Sequence, residues 1–192
     1  MKHHHQVHNM MRTKAFTIVE LLIVIVVIAI LAAISVVAYN GIQTRANNTQ
    51  TVDAVKQFVK AYGLYALDNG NYPQVTGCLG EGYPSPNNRC LAQSGTAECF
   101  GNGGGSGAAV NTALRPYMNN TVPSPSMQQA ACGNTTYIGA YASYQSASQT
   151  IYLIMILKGD QTCPPMSPNA SSPNKAYTGD ATRCHYTLQA VT

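Results

Sequence analysis

The chain has 192 residues, and only 9% of them are charged, against roughly 25% in an ordinary soluble domain. Its formal net charge of +4 overstates its basicity, because Lys2, Arg12 and Lys14 precede a long apolar segment and the residues from Phe16 onward hold eight basic and seven acidic side chains. A near-neutral body argues against a dedicated nucleic-acid groove, and the length allows an anchor plus one domain of about 100–150 residues.

From Phe16 to Tyr39 the chain runs FTIVELLIVIVVIAILAAISVVAY, and only Thr17, Glu20 and Ser35 are not apolar. A helix of that length measures about 36 Å, enough to cross a hydrocarbon core of about 30 Å. A carboxylate in such a run costs about 2.5–3.5 kcal/mol at the bilayer centre and less toward the edge, so Glu20 implies a partner. Lys2, Arg12 and Lys14 lie before the run and Arg45 is the first basic residue after it. This asymmetry places the N-terminus in the cytoplasm and the body outside.

Lys14-Ala15-Phe16-Thr17-Ile18-Val19-Glu20 and the apolar run after it resemble the type III signal and N-terminal helix of type IV pilins and related pseudopilins. The resemblance implies cleavage between Ala15 and Phe16 by a prepilin peptidase on the cytoplasmic side, methylation of the new amine at Phe16, and retention of the helix as a membrane anchor. It also implies that Glu20 meets the amine of a neighbouring subunit during assembly. The chain departs from the family's pattern in carrying Ala15 where Gly is usual and in lacking the Pro often found in the apolar half. The implied leader, residues 1–15, removes His3, His4, His5 and His8, so that tract is not expected to hold a metal. Met10 and Met11 are alternative starts, since a leader of MRTKA suits the family.

Beyond the run, Ile42, Ala46, Val52, Val55, Val59, Tyr62 and Ala66 recur mostly three or four apart, one face of a helix. Arg45, Gln50, Asp53, Lys56 and Lys60 take the other faces. Asn40-Gly41 is a place where the helix can bend. Asp68-Asn69-Gly70 supplies its stop, with Pro73 beyond. A helix from Phe16 to Asp68 would span about 80 Å, a length of more use to a filament of side-by-side rods than to a single domain. The stretch from Tyr65 to Pro73 is similar to the turn that follows the long helix in many pilins and pseudopilins, with an aromatic placed to pack back on the helix.

Residues 74–110 are turn-rich and include Gly101 to Gly107. That run lacks the Lys-Ser/Thr of a phosphate loop, so it reads as a flexible surface loop. A short helix is expected over 111–119. Thr135–Tyr144, Thr150–Leu157 and Arg183–Val191 read as strands. Short connections favour an antiparallel sheet of three or four strands with one face on the second half of the helix. The fold expected is therefore α+β, type IV pilin-like, divided as leader 1–15, membrane or filament-core helix 16–39, amphipathic half 40–69 and globular head 70–192.

Cys78, Cys90, Cys99, Cys132, Cys163 and Cys184 all follow the span, and an even count in an exported domain suggests three disulfides. Proximity favours Cys163–Cys184, then Cys78–Cys90 and Cys99–Cys132, but sequence does not choose among the many pairings six cysteines allow. The segment between Cys163 and Cys184 holds four prolines and reads as a disordered loop unless a bridge closes it. The resemblance implies the same, a C-terminal disulfide-bounded region exposed on the filament.

No nucleophile motif, zinc spacing or redox Cys-x-x-Cys is present. His185, the one histidine after the leader, reads as structural, and neither enzyme activity, a metal nor a cofactor is expected. Tyr137, Tyr141, Tyr144, Tyr152, Tyr177 and Tyr186 suit core and inter-subunit packing before a binding face. Asn47, Asn119, Asn134 and Asn169 begin Asn-x-Ser/Thr sequons that read as chance matches. The reading that follows is a type IV pilin: a homo-oligomeric filament subunit, drawn from membrane lipid by inner-membrane assembly machinery, serving adhesion to host or neighbouring cells, twitching motility or DNA uptake. The alternatives are a pseudopilin of a type II secretion or competence system, a non-polymerising anchored binding protein, and a secreted protein whose signal ends near Ala32-Ala33.

Overall fold

The computed structural model describes residues 16–84, 90–92, 99–101, 104–167 and 169–189. The leader, with Ala15 and the histidine tract, lies outside them. The chain divides into two compact units, Met1–Gly41 and Ile42–Thr192. A single helix, α1, runs Ile18–Asn69 and remains helical through Asn40-Gly41. Every described side chain of the first unit is solvent-exposed.

In the second unit α1 buries Asn48, Thr51, Ala54, Val55, Phe58, Val59, Ala61, Tyr62 and Ala66, a stripe with helical spacing. The expected face is corrected at its start: Ile42 and Ala46 are exposed, and the buried stripe begins on polar residues instead. Asn48 donates its side-chain amide to the Lys158 carbonyl and accepts from the Lys158 N–H, both at 2.9 Å. Thr51 Oγ1 accepts from the Ser126 N–H at 3.1 Å. At the other end Gly70 takes φ +76° and donates to the Ala66 carbonyl at 2.8 Å, a left-handed C-cap. Tyr72 returns its ring edge-on to Tyr62 with centroids 6.1 Å apart, and its hydroxyl donates to the Gln189 carbonyl at 2.8 Å.

The architecture is α+β, with more sheet than the sequence suggests. Strands β1 (Gly77–Cys78), β5 (Ala140–Gln145), β6 (Thr150–Lys158), β8 (Ala181–Leu188) and β7 (Asn174–Thr178) form a five-stranded sheet in the order β1-β5-β6-β8-β7. Strands β2 (Leu91–Ala92), β4 (Thr135–Ile138) and β3 (Ala130–Cys132) form a second sheet in the order β2-β4-β3. Every pairing is antiparallel. One face of the large sheet packs Leu153, Met155, Cys184 and Tyr186 against Val55, Phe58 and Tyr62 of α1. Full burial of side chains of this size contributes about 1.5–3 kcal/mol each. The opposite face, with Ile154 and Ile156, meets the small sheet through Leu91, Phe100 and Tyr137.

Thr135–Tyr144 is not one strand. Gly139 takes φ +68° and divides it into β4 of the small sheet and β5 of the large one. A Cβ there would collide with the Tyr83 ring. The Tyr83 hydroxyl donates to the Leu79 carbonyl at 2.7 Å and accepts from the Ala140 N–H at 3.1 Å, so the aromatic plugs the divide. The third expected strand is Ala181–Leu188 rather than Arg183–Val191, and residues 190–191 lie outside the described ones. The segment expected over 111–119 is helix α2 (Ala108–Leu114) continued by a 3-10 turn, Arg115–Met118. Pro116 lies in the first turn of that 3-10 piece, where its missing N–H costs nothing. The Cys163–Cys184 segment is closed by a disulfide, the condition under which order was expected, and its described residues include β7.

Three disulfides join Cys78–Cys90, Cys99–Cys132 and Cys163–Cys184. The first links β1 of the large sheet to the start of β2 in the small one. The second ties the chain after β2 to the end of β3. The third ties the loop after β6 to β8.

Candidate functional site

The chemistry of the first unit rests on three polar side chains in an apolar helix. Thr17 is the residue before α1, and its hydroxyl accepts the Glu20 N–H at 3.2 Å. Glu20 Oε2 accepts from the Thr17 N–H at 2.9 Å and from the Thr17 hydroxyl at 2.7 Å. This reciprocal pair is a capping box, and it satisfies donors of the first helical turn that have no partner within the helix. The carboxylate also lies where the helix dipole favours negative charge. Farther along, the Ser35 hydroxyl donates to the Leu31 carbonyl at 2.7 Å.

All three polar side chains between Phe16 and Tyr39 are therefore hydrogen-bonded within their own helix. The surface they leave is apolar all round, which is what a helix must present to hydrocarbon. Exposed side chains include Phe16 at 80%, Ile18 at 83% and Val37 at 75%. By length and composition, α1 can cross a membrane. Sequence reasoning gave Glu20 a need for a partner but did not single out Thr17 as one. The Thr-x-x-Glu spacing was the available signal.

The other candidates resolve as structure. Glycines at the end of the Gly101–Gly107 run permit close approach: a Cβ on Gly107 would meet the Cys78 carbonyl, and one on Gly77 would lie 2.6 Å from the Ser106 carbonyl oxygen. The described end of the run packs against β1 through Gly107, while Gly104, Gly105 and Ser106 are exposed as expected of a surface loop; residues 102 and 103 lie outside the described ones. His185 sits half-buried on β8, edge-on to Tyr152 with centroids 5.2 Å apart. Burial, and then the neighbouring Arg183, hold its pKa below the usual imidazole value. No group of three metal-ligating side chains gathers among the described residues. Tyr137 and Tyr186 are core residues, whereas Tyr152 and Tyr177 are 40% and 46% exposed. Burial pushes the Tyr186 hydroxyl up to about 12.

Residues 10–36 match the prokaryotic N-terminal methylation motif. Over 63 residues the chain is 41% identical to the type IV wide pilus major component PilA4 of Thermus thermophilus, a match covering 33% of this chain and 48% of that protein. Over 64 residues it is 32% identical to the type II secretion system core protein G of Pectobacterium carotovorum subsp. carotovorum, covering 33% of this chain and 41% of that protein. The matches span less than half the length of either relative. No solved structure shows a significant match.

Proposed function

We propose that this chain, whose N-terminus carries a prepilin-type methylation motif, is a structural subunit of a type IV pilus filament. The observation that carries the reading is the membrane-length apolar first part of α1, whose polar side chains are all satisfied internally and whose side chains from Phe16 to Tyr39 are all exposed. Such a helix is stable in lipid before assembly. Packed beside copies of itself it exchanges lipid contacts for protein contacts with no polar group to desolvate except Glu20.

In this reading a prepilin peptidase cuts between Ala15 and Phe16, and the amine of Phe16 is methylated. The subunit then spans the cytoplasmic membrane once, with its body outside, until inner-membrane machinery extracts it. Glu20 exchanges its Thr17 bonds for the amine of Phe16 in a neighbouring subunit. Residues 16–39 form the filament core, 40–69 the helix half that carries the head, and 70–192 the head itself. The role is structural rather than enzymatic. The likeness to a type II secretion core protein favours a second reading, a pseudopilin of a secretion system.

The test is the intact mass and N-terminal peptide of material sheared from cells. A chain beginning at N-methylated Phe16 supports both readings, and its recovery in long surface filaments selects the pilin. A chain beginning beyond Ala33, or one found solely in the membrane with its leader attached, overturns them.

A further inference from the structure

The sheets leave their edges in different states. β1, at one end of the large sheet, is two residues long, and a Cβ on Gly77 would lie 2.6 Å from the Ser106 carbonyl oxygen, so backbone already covers it. The outer edge of β3 is closed by the β7–β8 turn. The Asp180 N–H donates to the Ala131 carbonyl at 2.9 Å, and the Ala131 N–H donates to the Asp180 carboxylate. β7 ends the large sheet on the other side. It is five residues long, and Asn174, Lys175, Tyr177 and Thr178 are exposed.

The register fixes which backbone groups of β7 face outward. Thr178 pairs with Ala181 across the two-residue turn Gly179-Asp180, so the two form a hydrogen-bonded pair. Ala176–Arg183 and Asn174–His185 then have the same state, because such pairs alternate along an antiparallel ladder. The N–H and C=O groups of Lys175 and Tyr177 therefore point away from β8, and among the described residues they have no backbone partner. Pro173 holds the next outward position and has no N–H to offer, so a ladder on this edge ends at Lys175. A charged side chain ordinarily blunts an edge strand, but the Lys175 ammonium is ion-paired with Asp160.

We propose that β7 is a self-recognition edge, pairing antiparallel with β7 of a second copy about a two-fold axis at Ala176. Lys175 of each copy then stands opposite Tyr177 of the other. Both residues carry outward groups, so the two pairs close four backbone hydrogen bonds with none left over. Their side chains share one face of the sheet, and each ammonium meets the ring of the other copy's Tyr177, a favourable cation–π arrangement. Tyr177 is 46% exposed before pairing. A slide of one residue sets outward groups against groups already bonded to β8. A slide of two opposes Lys175 to itself or runs into the Gly179-Asp180 turn. The axis is normal to the sheet and reverses every direction in its plane, including that of the α1 segment packed on it. The consequence rests on the filament reading above, in which the subunits of one pilus share a direction: the contact joins filaments that run oppositely. A single pair is weak, and many pairs along aligned filaments act together.

The test uses the full chain in detergent micelles, with amide exchange followed residue by residue by NMR and association by sedimentation. Raising the chain to about 1 mM, where a contact of this size is populated, is expected to slow exchange at Lys175 and Tyr177 at least about threefold. Ala176 and Thr178, already bonded to β8, are expected to stay unchanged. Tyr177→Pro removes an N–H that β8 does not use, at a position where an edge strand accepts proline. Tyr177→Lys sets like charges opposite one another. Each is expected to weaken association at least about tenfold while the β8 amides stay protected. Tyr152→Lys, two strands away on β6, is expected to leave association unchanged. Exchange at Lys175 and Tyr177 that ignores concentration, or undiminished association in Tyr177→Lys, overturns the proposal. No filament is needed for these measurements, so their failure leaves the pilus reading standing, and failure of the mass and shearing test leaves the β7 pairing standing.

Discussion

Glu20 Oε2 receives two hydrogen bonds from Thr17, one from its backbone N–H and one from its hydroxyl. The acid therefore has a partner three residues away on its own chain, and the proposed pairing with a neighbouring amine would be an exchange of partners. Two substitutions separate the roles. Thr17→Val is expected to weaken the first helical turn by about 1 kcal/mol, the usual value of an N-cap side chain, and to leave Glu20 able to pair between subunits. Glu20→Ala is expected to leave cleavage before Phe16 intact and to reduce sheared filaments to background. Wild-type filament yield from Glu20→Ala would sink the assembly role.

The Gly139 divide predicts a contrast between two glycines. Gly139→Ala puts a Cβ into the Tyr83 ring at a positive φ and is expected to lower stability by about 2–4 kcal/mol, since strain and overpacking combine. Gly63 lies inside α1 with open space where its Cβ would be. Gly63→Ala is expected to raise stability by about 0.5–1 kcal/mol through helix propensity alone. Thermal unfolding of both variants in detergent decides the matter, and a neutral Gly139→Ala would mean that the two strands can merge.

Asn48 closes a two-way pair with the backbone of Lys158, the link between α1 and the end of β6. Asn48→Ala leaves that N–H and carbonyl without their partner in a part-buried place. The expected loss is about 2–3 kcal/mol, the cost of two hydrogen bonds with their acceptor and donor stranded. Equilibrium denaturation measures it, and a change below about 0.5 kcal/mol would show that water replaces the side chain at this position.

His185 gives the head an acid-side dependence. Burial, and secondarily Arg183, depress its pKa in the folded chain, so the unfolded chain binds the proton first as pH falls. Its contribution is complete above the ordinary imidazole value of about 6.5 and is lost as pH drops through the lower folded value. Melting temperature is expected to fall between about pH 7 and pH 5, and His185→Gln is expected to flatten part of that slope. Identical slopes in parent and variant would remove His185 from the account.

The parts legible in sequence are those set by local chemistry. The run from Phe16 to Tyr39 and the stop at Asp68-Asn69-Gly70 depend on composition and on one left-handed residue. What could not be read depends on partners far along the chain. Alternation over Thr135–Tyr144 signals a strand but not that Gly139 hands its halves to different sheets. β7 is an edge strand with a mostly exposed pattern, so it offers no buried period to detect, and the proline-rich stretch before it suggests disorder. Asn48 and Thr51 are buried because β6 and the Ser126 loop meet them, and helical patterning misassigns such polar positions. The Thr17 cap was visible as a spacing but was outweighed by the hydrophobicity around it.

The two-layered sheet arrangement separates what can vary from what cannot. Residues of β2, β3 and β4 touch the rear of the large sheet and never enter the cluster that includes Phe58 and Tyr62. Changes in their sequence alter the protein's outer character while the surfaces joining α1 to its sheet keep their shape. A peptide grafted between β3 and β4, at the Gly133-Asn134 turn, is therefore expected to leave the packing of α1 on its sheet unchanged.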